Sequence, residues 1–284
     1  MNRFEKNQSL ESWLIKARKA TYHTNPKAPE VIVGKVLKLS KTDLATKAQN
    51  ISLSTKKIRK LDNLLGRLLA GRPLSAVIGS TDFHGIKLKI NSRVLSPRPE
   101  SEKLVEYVIE NVQKSATIFD IGTGSGAIGL AISKARPDLK VILTDISPEA
   151  LQLAKRNAKL NKLTNIEFIN SNLFKKVVQY PSSQSSTVSY FIANLPYVDR
   201  RWNNINIKRL SFEPDSALFS NKKGLQIIEN FLDELSTRKL LTKINFALIE
   251  HDPKQHHSIK DICDKIGFQT KKVSEFVTLI QLKT

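Results

Sequence analysis

Thr117-Ile118-Phe119-Asp120-Ile121-Gly122-Thr123-Gly124-Ser125-Gly126 decides the fold of this 284-residue chain. Thr117 to Asp120 is a short apolar run that reads as a buried strand, and Ala127 to Ala135 reads as a helix. Gly122, Gly124 and Gly126 stand where the strand has to turn into the helix. Glycine accepts left-handed backbone there and lets the main chain approach a ligand closely. Gly124, Gly126 and Gly129 also satisfy G-x-G-x-x-G, a spacing that is weak evidence alone. A tight turn with no ligand gives the same letters.

Downstream of this turn, strands and helices alternate. Lys140–Thr144, Asn165–Asn170, Ser189–Ala193 and Phe246–Glu250 read as strands. Pro148–Asn161, Gly224–Leu235 and Ser258–Ile266 read as helices, and Lys271–Lys283 holds one or two further strands. Alternation of this kind predicts a doubly wound α/β fold, a mostly parallel sheet with helices on both faces. Pro181–Ser189 is rich in serine and reads as a surface loop. Upstream, Glu100–Val112 reads as a helix with acidic residues in its first turn. Ser96-Pro97-Arg98-Pro99 must be extended, because the residue before each proline is pushed out of the helical region. Phe83–Val94 alternates around Gly85 and predicts a short hairpin. Gly71-Arg72-Pro73 ends a helical region. Within it Ser9–Ala20, Ala28–Leu37 and Ser54–Ala70 carry apolar residues at helical spacing, so the N-terminal part reads as a small bundle.

Two further sites complete a chemical pattern. Asp145 ends the second strand, nineteen residues after Gly126. An acid there can accept both hydroxyls of a ribose; an Asp or Ser at such a place can also simply cap the next helix. Asn194-Leu195-Pro196-Tyr197 directly follows the strand Ser189–Ala193. The Asn side-chain oxygen and the next backbone carbonyl can together accept two hydrogen bonds from one NH₂ group. That fixes a planar amide or amine and helps move lone-pair density onto its nitrogen, and a tyrosine ring can pack flat against it. The bland alternative is an ordinary Asn/Pro turn. A nicotinamide dehydrogenase has no use for such a grip.

Composition narrows the setting. The net charge is +20, with 33 Lys and 13 Arg. Such an excess fits a phosphate-rich partner such as RNA or the ribosome. The dominance of Lys over the bidentate Arg fits compositional bias equally. Cys263 is the only cysteine, so no internal disulfide forms, and no Cys/His cluster calls for a metal. No apolar run is long enough to span a membrane, and Met1–Leu10 lacks the apolar stretch of a signal peptide. These features place the chain in the cytoplasm, away from membranes.

At the residues just quoted, the sequence resembles class I methyltransferases with an Asn/Asp-Pro-Pro-Tyr motif. More narrowly, it is similar to the HemK/PrmC-type release factor glutamine methyltransferases. The likeness runs through nearly the whole chain. Ala28–Leu44 looks like that family's helical N-terminal part. Leu69-Ala70-Gly71-Arg72-Pro73-Leu74 with Ile78-Gly79 and Phe83-His84-Gly85 looks like its linker. Leu95-Ser96-Pro97-Arg98-Pro99-Glu100-Ser101-Glu102 resembles its Pro-Arg-Pro-Glu-Thr-Glu segment. Thr144-Asp145-Ile146-Ser147, Phe212-Glu213-Pro214 to Leu218 and Leu248-Ile249-Glu250-His251 follow in order.

The resemblance implies a seven-stranded, mostly parallel sheet preceded by a helical bundle. The domains it implies are a substrate-recognition bundle at 1–72, a hairpin linker at 73–100 and a cofactor-binding methyltransferase domain at 101–284. It implies S-adenosyl-L-methionine as cofactor. Asp120 would belong to the cofactor site, Gly122, Thr123, Gly124, Ser125 and Gly126 would hold the methionine part, Asp145 the ribose, and Asn172 and Leu173 the adenine, with Asn194 near the methionine part. Asn194, Leu195, Pro196 and Tyr197 would hold the acceptor, and Asn194, Pro196 and Tyr197 would carry the catalytic role. The implied partner is a peptide chain release factor, met by a monomer. Three positions depart from the family pattern. Leu195 stands where proline is expected, but keeps its carbonyl and is held extended by Pro196. Asn172 replaces an aspartate and still offers an acceptor without charge. His251-Asp252-Pro253 lacks a glycine common there.

Other functions share parts of this pattern. Asn-Leu-Pro-Tyr also resembles the motif of ribosomal RNA adenine dimethyltransferases, which must capture an unpaired base. Those enzymes carry the cofactor motif near the N-terminus and a substrate domain after the sheet, the reverse of the order here. A glutamine methyltransferase acting on a ribosomal protein, and a non-catalytic cofactor-binding module, are the remaining alternatives.

Overall fold

The computed structural model describes residues 8–177, 189–202, 213–238 and 244–283, and the chain divides into two units, Met1–Gly79 and Ser80–Thr284. In the first unit, β1 (Gln8–Ser9) leads into α1 (Leu10–Thr21), followed by α2 (Ala28–Leu37), α3 (Lys41–Lys47), β2 (Ser52–Leu53), α4 (Thr55–Leu69) and α5 (Leu74–Ile78). β1 and β2 pair antiparallel. The apolar stripes of α1, α2 and α4 meet in a core of Leu10, Trp13, Leu14, Ile32, Val33 and Leu61. Trp13 satisfies its indole N–H on Asp62 Oδ1 at 2.8 Å, as a buried indole requires. Leu69, in the last turn of the helix expected over Ser54–Ala70, is exposed. Two helices escape a reading by apolar spacing. α3 buries only Leu44, so it has no stripe. Its signature is a capping box: Ser40 Oγ accepts from the Asp43 N–H and the Asp43 carboxylate from the Ser40 N–H. α5 is a single five-residue turn after Pro73.

The second unit opens with the hairpin β3 (Ser80–Phe83) and β4 (Ile86–Lys89). Its turn is His84-Gly85, with φ of 37° and 79°, as a two-residue hairpin requires. The hairpin therefore begins before Phe83 and stops at Lys89, short of the expected Val94. The outer edge of β4 is not left bare. Asn157 and Asn161 of α8 (Pro148–Leu160) and its cap imitate a neighbouring strand. Each side-chain amide accepts from, and donates to, the backbone of Lys89 and Lys87 respectively.

The remaining elements are α6 (Glu102–Asn111), β5 (Thr117–Ile121), α7 (Ala127–Ala135), β6 (Lys140–Asp145), then α8, β7 (Ile166–Asn170), β8 (Ser189–Ala193), α9 (Asp215–Leu218), α10 (Gln226–Thr237), β9 (Ile244–Glu250), α11 (His256–Lys265), β10 (Phe268–Lys272) and β11 (Val277–Leu282). The seven-stranded sheet has the order β10-β11-β9-β8-β5-β6-β7. Its strands β5 to β9 are parallel, and β11 is antiparallel to both neighbours. This is the doubly wound fold expected from the alternation, and the tail supplies two strands. Residues 181–188 of the expected serine-rich loop, and Phe212, lie outside the described residues.

β5 shows how the sequence builds both faces. Every residue from Thr117 to Ile121 is buried. Ile118 joins a core with α6, α7 and the hairpin; Phe119 and Ile121 join the opposite core with α10 and α11. In that second core Phe119, Phe191, Phe174 and Phe231 meet in succession at ring separations of 5.3, 4.8 and 5.0 Å. Burying each such ring contributes roughly 1.5–3 kcal/mol, enough to fix the central strands on which the site is mounted.

Candidate active site

The chain winds outward from β5 to β6 and β7, then returns to β8 on the other side of β5. In such sheets ligands bind at this switch point, beyond the carboxyl ends of the strands. Here lie the turn after β5, Asp145 at the end of β6, the segment after β7 and Asn194 after β8. They surround one cavity of about 270 Å³ lined by Gly122 to Ser125, Asp145, Asn172, Leu173 and Asn194 to Pro196. Separate stretches of sequence thus converge on one place.

The turn is held from three sides. Gly122, Gly124 and Gly126 all have positive φ, at 75°, 56° and 85°. At Gly124 an added Cβ would meet nothing within 4 Å, so this bare backbone faces open space, while its φ disfavours any other residue. Asp145 Oδ2 accepts the Gly124 N–H at 2.8 Å, and Oδ1 accepts the Ser147 N–H at 2.9 Å. One carboxylate therefore braces the turn and orders the start of α8, with lone pairs remaining on both oxygens for ligand hydroxyls. Burial pushes its pKa up while these backbone donors pull it down. Asn157, in addition to gripping β4, donates to Ser125 O at 2.8 Å.

Asp120 braces the turn from beneath. It is buried, and its Oδ2 accepts from Thr123 Oγ1 at 2.6 Å and from the Gly129 N–H at 2.9 Å. It does not line the cavity. Burial pushes its carboxyl up to about 6. It ties the turn to α7 from beneath, and Gly129 is glycine because a Cβ would come within 2.9 Å of that same Oδ2.

After β7, Ser171 organises the wall opposite. Its Oγ donates to Leu173 O at 3.0 Å and accepts the Lys176 N–H at 3.0 Å. Leu173 sits at φ 44°, a conformation that a branched residue keeps only when its surroundings impose it. Ile146 also lines the cavity and is exposed, so an apolar face stands beside the Asp145 carboxylate.

Asn194 is half-buried, and its Nδ2 donates to Ser101 Oγ at 3.1 Å. The side-chain oxygen then points away from Ser101. Leu195 and Pro196 line the cavity beside it. The Leu195 side chain is buried and lies over Gly122, where an added Cβ would come within 2.9 Å of Leu195 Cδ2. Tyr197 does not line the cavity. Its hydroxyl turns back to Glu250 Oε1 at 3.1 Å. Burial and the neighbouring Glu250 push its pKa up, so it stays a neutral donor. Gln255 Nε2 clamps Tyr197 O at 2.8 Å.

Several members of the site carried no assigned role in the sequence. Ser101 and Glu250 lie inside quoted segments, and a buried acid ending an otherwise apolar strand is the signal that marks Glu250. Glu213 is another. It accepts the Ser96 N–H at 2.9 Å and pairs with Arg98, which fixes the extended Ser96–Pro97 wall of the cavity. Nothing in local sequence announces that pairing across 117 positions. Among the described residues no cluster of His, Cys, Asp or Glu is placed to hold a metal, and no helix is long and apolar enough to cross a membrane.

Comparison with known proteins bears on this cavity. Residues 99–223 match the family described as Methyltransferase small domain. The Release factor glutamine methyltransferase of Buchnera aphidicola subsp. Schizaphis graminum is 32% identical over 92% of this chain and 92% of its own length. That of Aliivibrio fischeri is 30% identical over 86% of this chain and 84% of its own. That of Streptococcus pneumoniae is 37% identical over 69% and 68%. Among solved structures, the hMettl16 catalytic domain in complex with a 3′UTR hairpin aligns with a TM-score of 0.51 at 14% identity, over 73% of this chain and 77% of that one. That likeness concerns the fold alone.

Proposed function

This chain belongs to the release factor glutamine methyltransferase family, and we propose that it methylates the side-chain amide nitrogen of a glutamine in a peptide chain release factor, with Asn194, Leu195 and Pro196 gripping that amide and Tyr197 anchoring the turn behind them. It is an S-adenosylmethionine-dependent enzyme. The observation that carries the acceptor assignment is the Asn194–Ser101 hydrogen bond. It commits the Asn194 NH₂ to Ser101 and leaves Oδ1 for the acceptor.

The cavity fits the cofactor. The Gly124 backbone is bare toward open space, and Asp145 keeps acceptor capacity after bracing the turn. Gly122 to Ser125 would hold the methionine part, Asp145 the ribose, and Asn172, Leu173 and Ile146 the adenine. When bound, the cofactor supplies a methyl group activated by a sulfonium sulfur. The chain supplies position. Asn194 Oδ1 and the Leu195 carbonyl accept the two N–H groups of the acceptor amide, which directs its nitrogen and draws lone-pair density onto it. Pro196 keeps Leu195 extended so that the two acceptors stay side by side. The walls formed by Leu195, Pro97 and Ala217 keep water from the reacting centre. An in-line displacement needs this alignment more than it needs a base, and the surplus N–H proton passes to water afterwards, as the product leaves the walled site.

We assign docking of the release factor to the helical unit. Between residues 8 and 79 it carries fourteen Lys and Arg against four Asp and Glu, a surface suited to an acidic protein face.

Two experiments test this reading. Labelled methyl donor is offered with release factor, ribosomal protein and RNA side by side. Label is expected in release factor; label confined to RNA or ribosomal protein contradicts the assignment. Asp145→Ala tests the cofactor site. Losing a charged hydrogen-bond partner costs about 1.5 kcal/mol or more, so affinity for the methyl donor by titration calorimetry is expected to fall on the order of tenfold. Undiminished affinity removes Asp145 from the ribose site.

A further inference from the structure

Asn157 on α8 is fully buried and has no part in the mechanism above. It does not line the cavity, so it touches neither cofactor nor acceptor. Three backbone groups meet its side chain. Oδ1 accepts the Lys89 N–H at 2.8 Å. Nδ2 donates to Lys89 O at 3.1 Å and to Ser125 O at 2.8 Å. One N–H and two carbonyls call for one acceptor and two hydrogens, and among side chains of this size only an amide offers them. A carboxylate would turn oxygen toward both carbonyls, and a serine has a single hydrogen to give. The identity of residue 157 is thus dictated by two separate pieces of chain, the hairpin edge at Lys89 and the cofactor turn at Ser125.

The carbonyl of Ser125 and the N–H of Gly126 belong to one planar peptide unit. Thr123 O takes the N–H at 2.9 Å, and Asn157 takes the carbonyl. With both ends held the plane cannot rotate, and Ser125 keeps its place on the cavity wall. Asn161, one turn further along α8, provides the comparison. Its Oδ1 accepts the Lys87 N–H at 3.1 Å and its Nδ2 donates to Lys87 O at 2.7 Å, the same grip on the same strand. Its second hydrogen goes to Asn157 O, inside its own helix. In bonding the two residues differ in one respect: Asn157 reaches the cofactor turn and Asn161 does not. Ala150 and Leu153, on the same stripe of α8, pack against Val94, so the helix follows the chain from β4 toward the Leu95–Pro97 wall.

We propose that Asn157 is a positioning residue for the methyl donor: it fixes the Ser125–Gly126 peptide of the cofactor turn against the hairpin edge, so that donor affinity depends on an amide that never meets the donor. This rests on the reading that the cavity holds S-adenosylmethionine. The acceptor grip stands after β8 and takes no part in these bonds.

The test separates donor binding from methyl transfer. Asn157→Ala leaves the Ser125 carbonyl buried without its partner, and affinity for S-adenosylmethionine by titration calorimetry is expected to fall about tenfold. The single-turnover rate at saturating donor is expected to stay within about threefold of wild type, the split that marks lost binding and not lost chemistry. Asn161→Ala loosens the same hairpin edge and is expected to keep wild-type donor affinity. If Asn157→Ala does not fold, amide hydrogen exchange in the wild-type protein decides. Neither Lys87 nor Lys89 lines the cavity, yet S-adenosylhomocysteine is expected to slow exchange of the Lys89 N–H at least about threefold more than that of the Lys87 N–H. Wild-type donor affinity in Asn157→Ala overturns the proposal. So does an equal fall in Asn157→Ala and Asn161→Ala, or a rate at saturating donor that falls as far as the affinity, the mark of a merely structural role. In the exchange measurement, equal slowing at both amides overturns it. Asp145→Ala run alongside keeps the two readings apart. Undiminished affinity there sinks the cavity assignment itself; a loss there, with Asn157→Ala unchanged, sinks only the positioning role.

Discussion

Replacing Asn194 by alanine is expected to lower the single-turnover rate of methyl transfer on the order of 10²–10³-fold, the usual loss when one preorganised polar contact at a reacting centre is removed. The expectation follows from where Asn194 stands. It directly follows β8, beside Leu195 and Pro196 on the cavity wall. Its amide is locked on one side by Ser101, so its oxygen is a prepared acceptor that needs no reorganisation when substrate arrives. Folding should change little, because the residue is half-buried and stands on the cavity wall. Affinity for the methyl donor is expected to fall modestly, since Asn194 borders the same cavity. Asn194→Asp keeps an acceptor oxygen and is expected to retain more activity than Ala. Rates from quenched single turnovers beside donor titrations check this. An Asn194→Ala enzyme with wild-type turnover would remove the motif from the mechanism.

Gly224→Ala is expected to cost about 3 kcal/mol of stability, at the upper end of overpacking and backbone-strain effects. Lys222, Lys223 and Gly224 form a run of three residues with positive φ, at 52°, 59° and 84°. The run brings Gly224 against the acceptor turn. An added Cβ would stand 2.0 Å from Tyr197 O and 2.5 Å from Gln255 Nε2. The nearest obstacle is backbone, so no rotamer change relieves it. Gln255 meanwhile ties Tyr197 O to Lys223 O, at 2.8 and 3.1 Å, so neither strand of chain can retreat alone. In a unit of this size about 3 kcal/mol lowers the melting temperature by roughly 6–12 °C. Activity measured well below the melting point should fall as well, because displacing the Tyr197 carbonyl moves Asn194, and errors of about 1 Å at a reacting centre cost up to about 10²-fold. Wild-type melting and turnover in this variant would show that Gly224 does not set the turn.

The two variants also mark what was readable in the sequence. The fold was legible because its signals are local. A strand, three glycines and a helix follow one another between Thr117 and Ala135, and the alternation repeats in the remainder of the chain. Asn194-Leu195-Pro196-Tyr197 was legible because its chemistry resides in contiguous residues. Gly224 was not, since its reason lies 27 positions away in Tyr197, and only the folded chain brings their backbones together. Glu213, Ser101 and Glu250 escaped for the same cause: each acts on a partner far away in sequence. Asp120 shows a second role that the motif does not announce: its carboxylate, with two donors beneath the turn, shapes the site. The short helix α3 was hidden because a reading by apolar stripe overlooks a capping box, a signal no less local.

The reaction moves a methyl group from S-adenosylmethionine to the side-chain nitrogen of a glutamine in release factor. Incubation of the purified protein with methyl donor and unmethylated release factor, followed by fragmentation mass spectrometry of the product, tests it most directly. The product is expected to carry a single added methyl group, localised to one glutamine side chain and absent when Asn194→Ala replaces the wild-type enzyme. A methyl group on another residue type, or release factor left unmodified while RNA in the same tube is methylated, would contradict it.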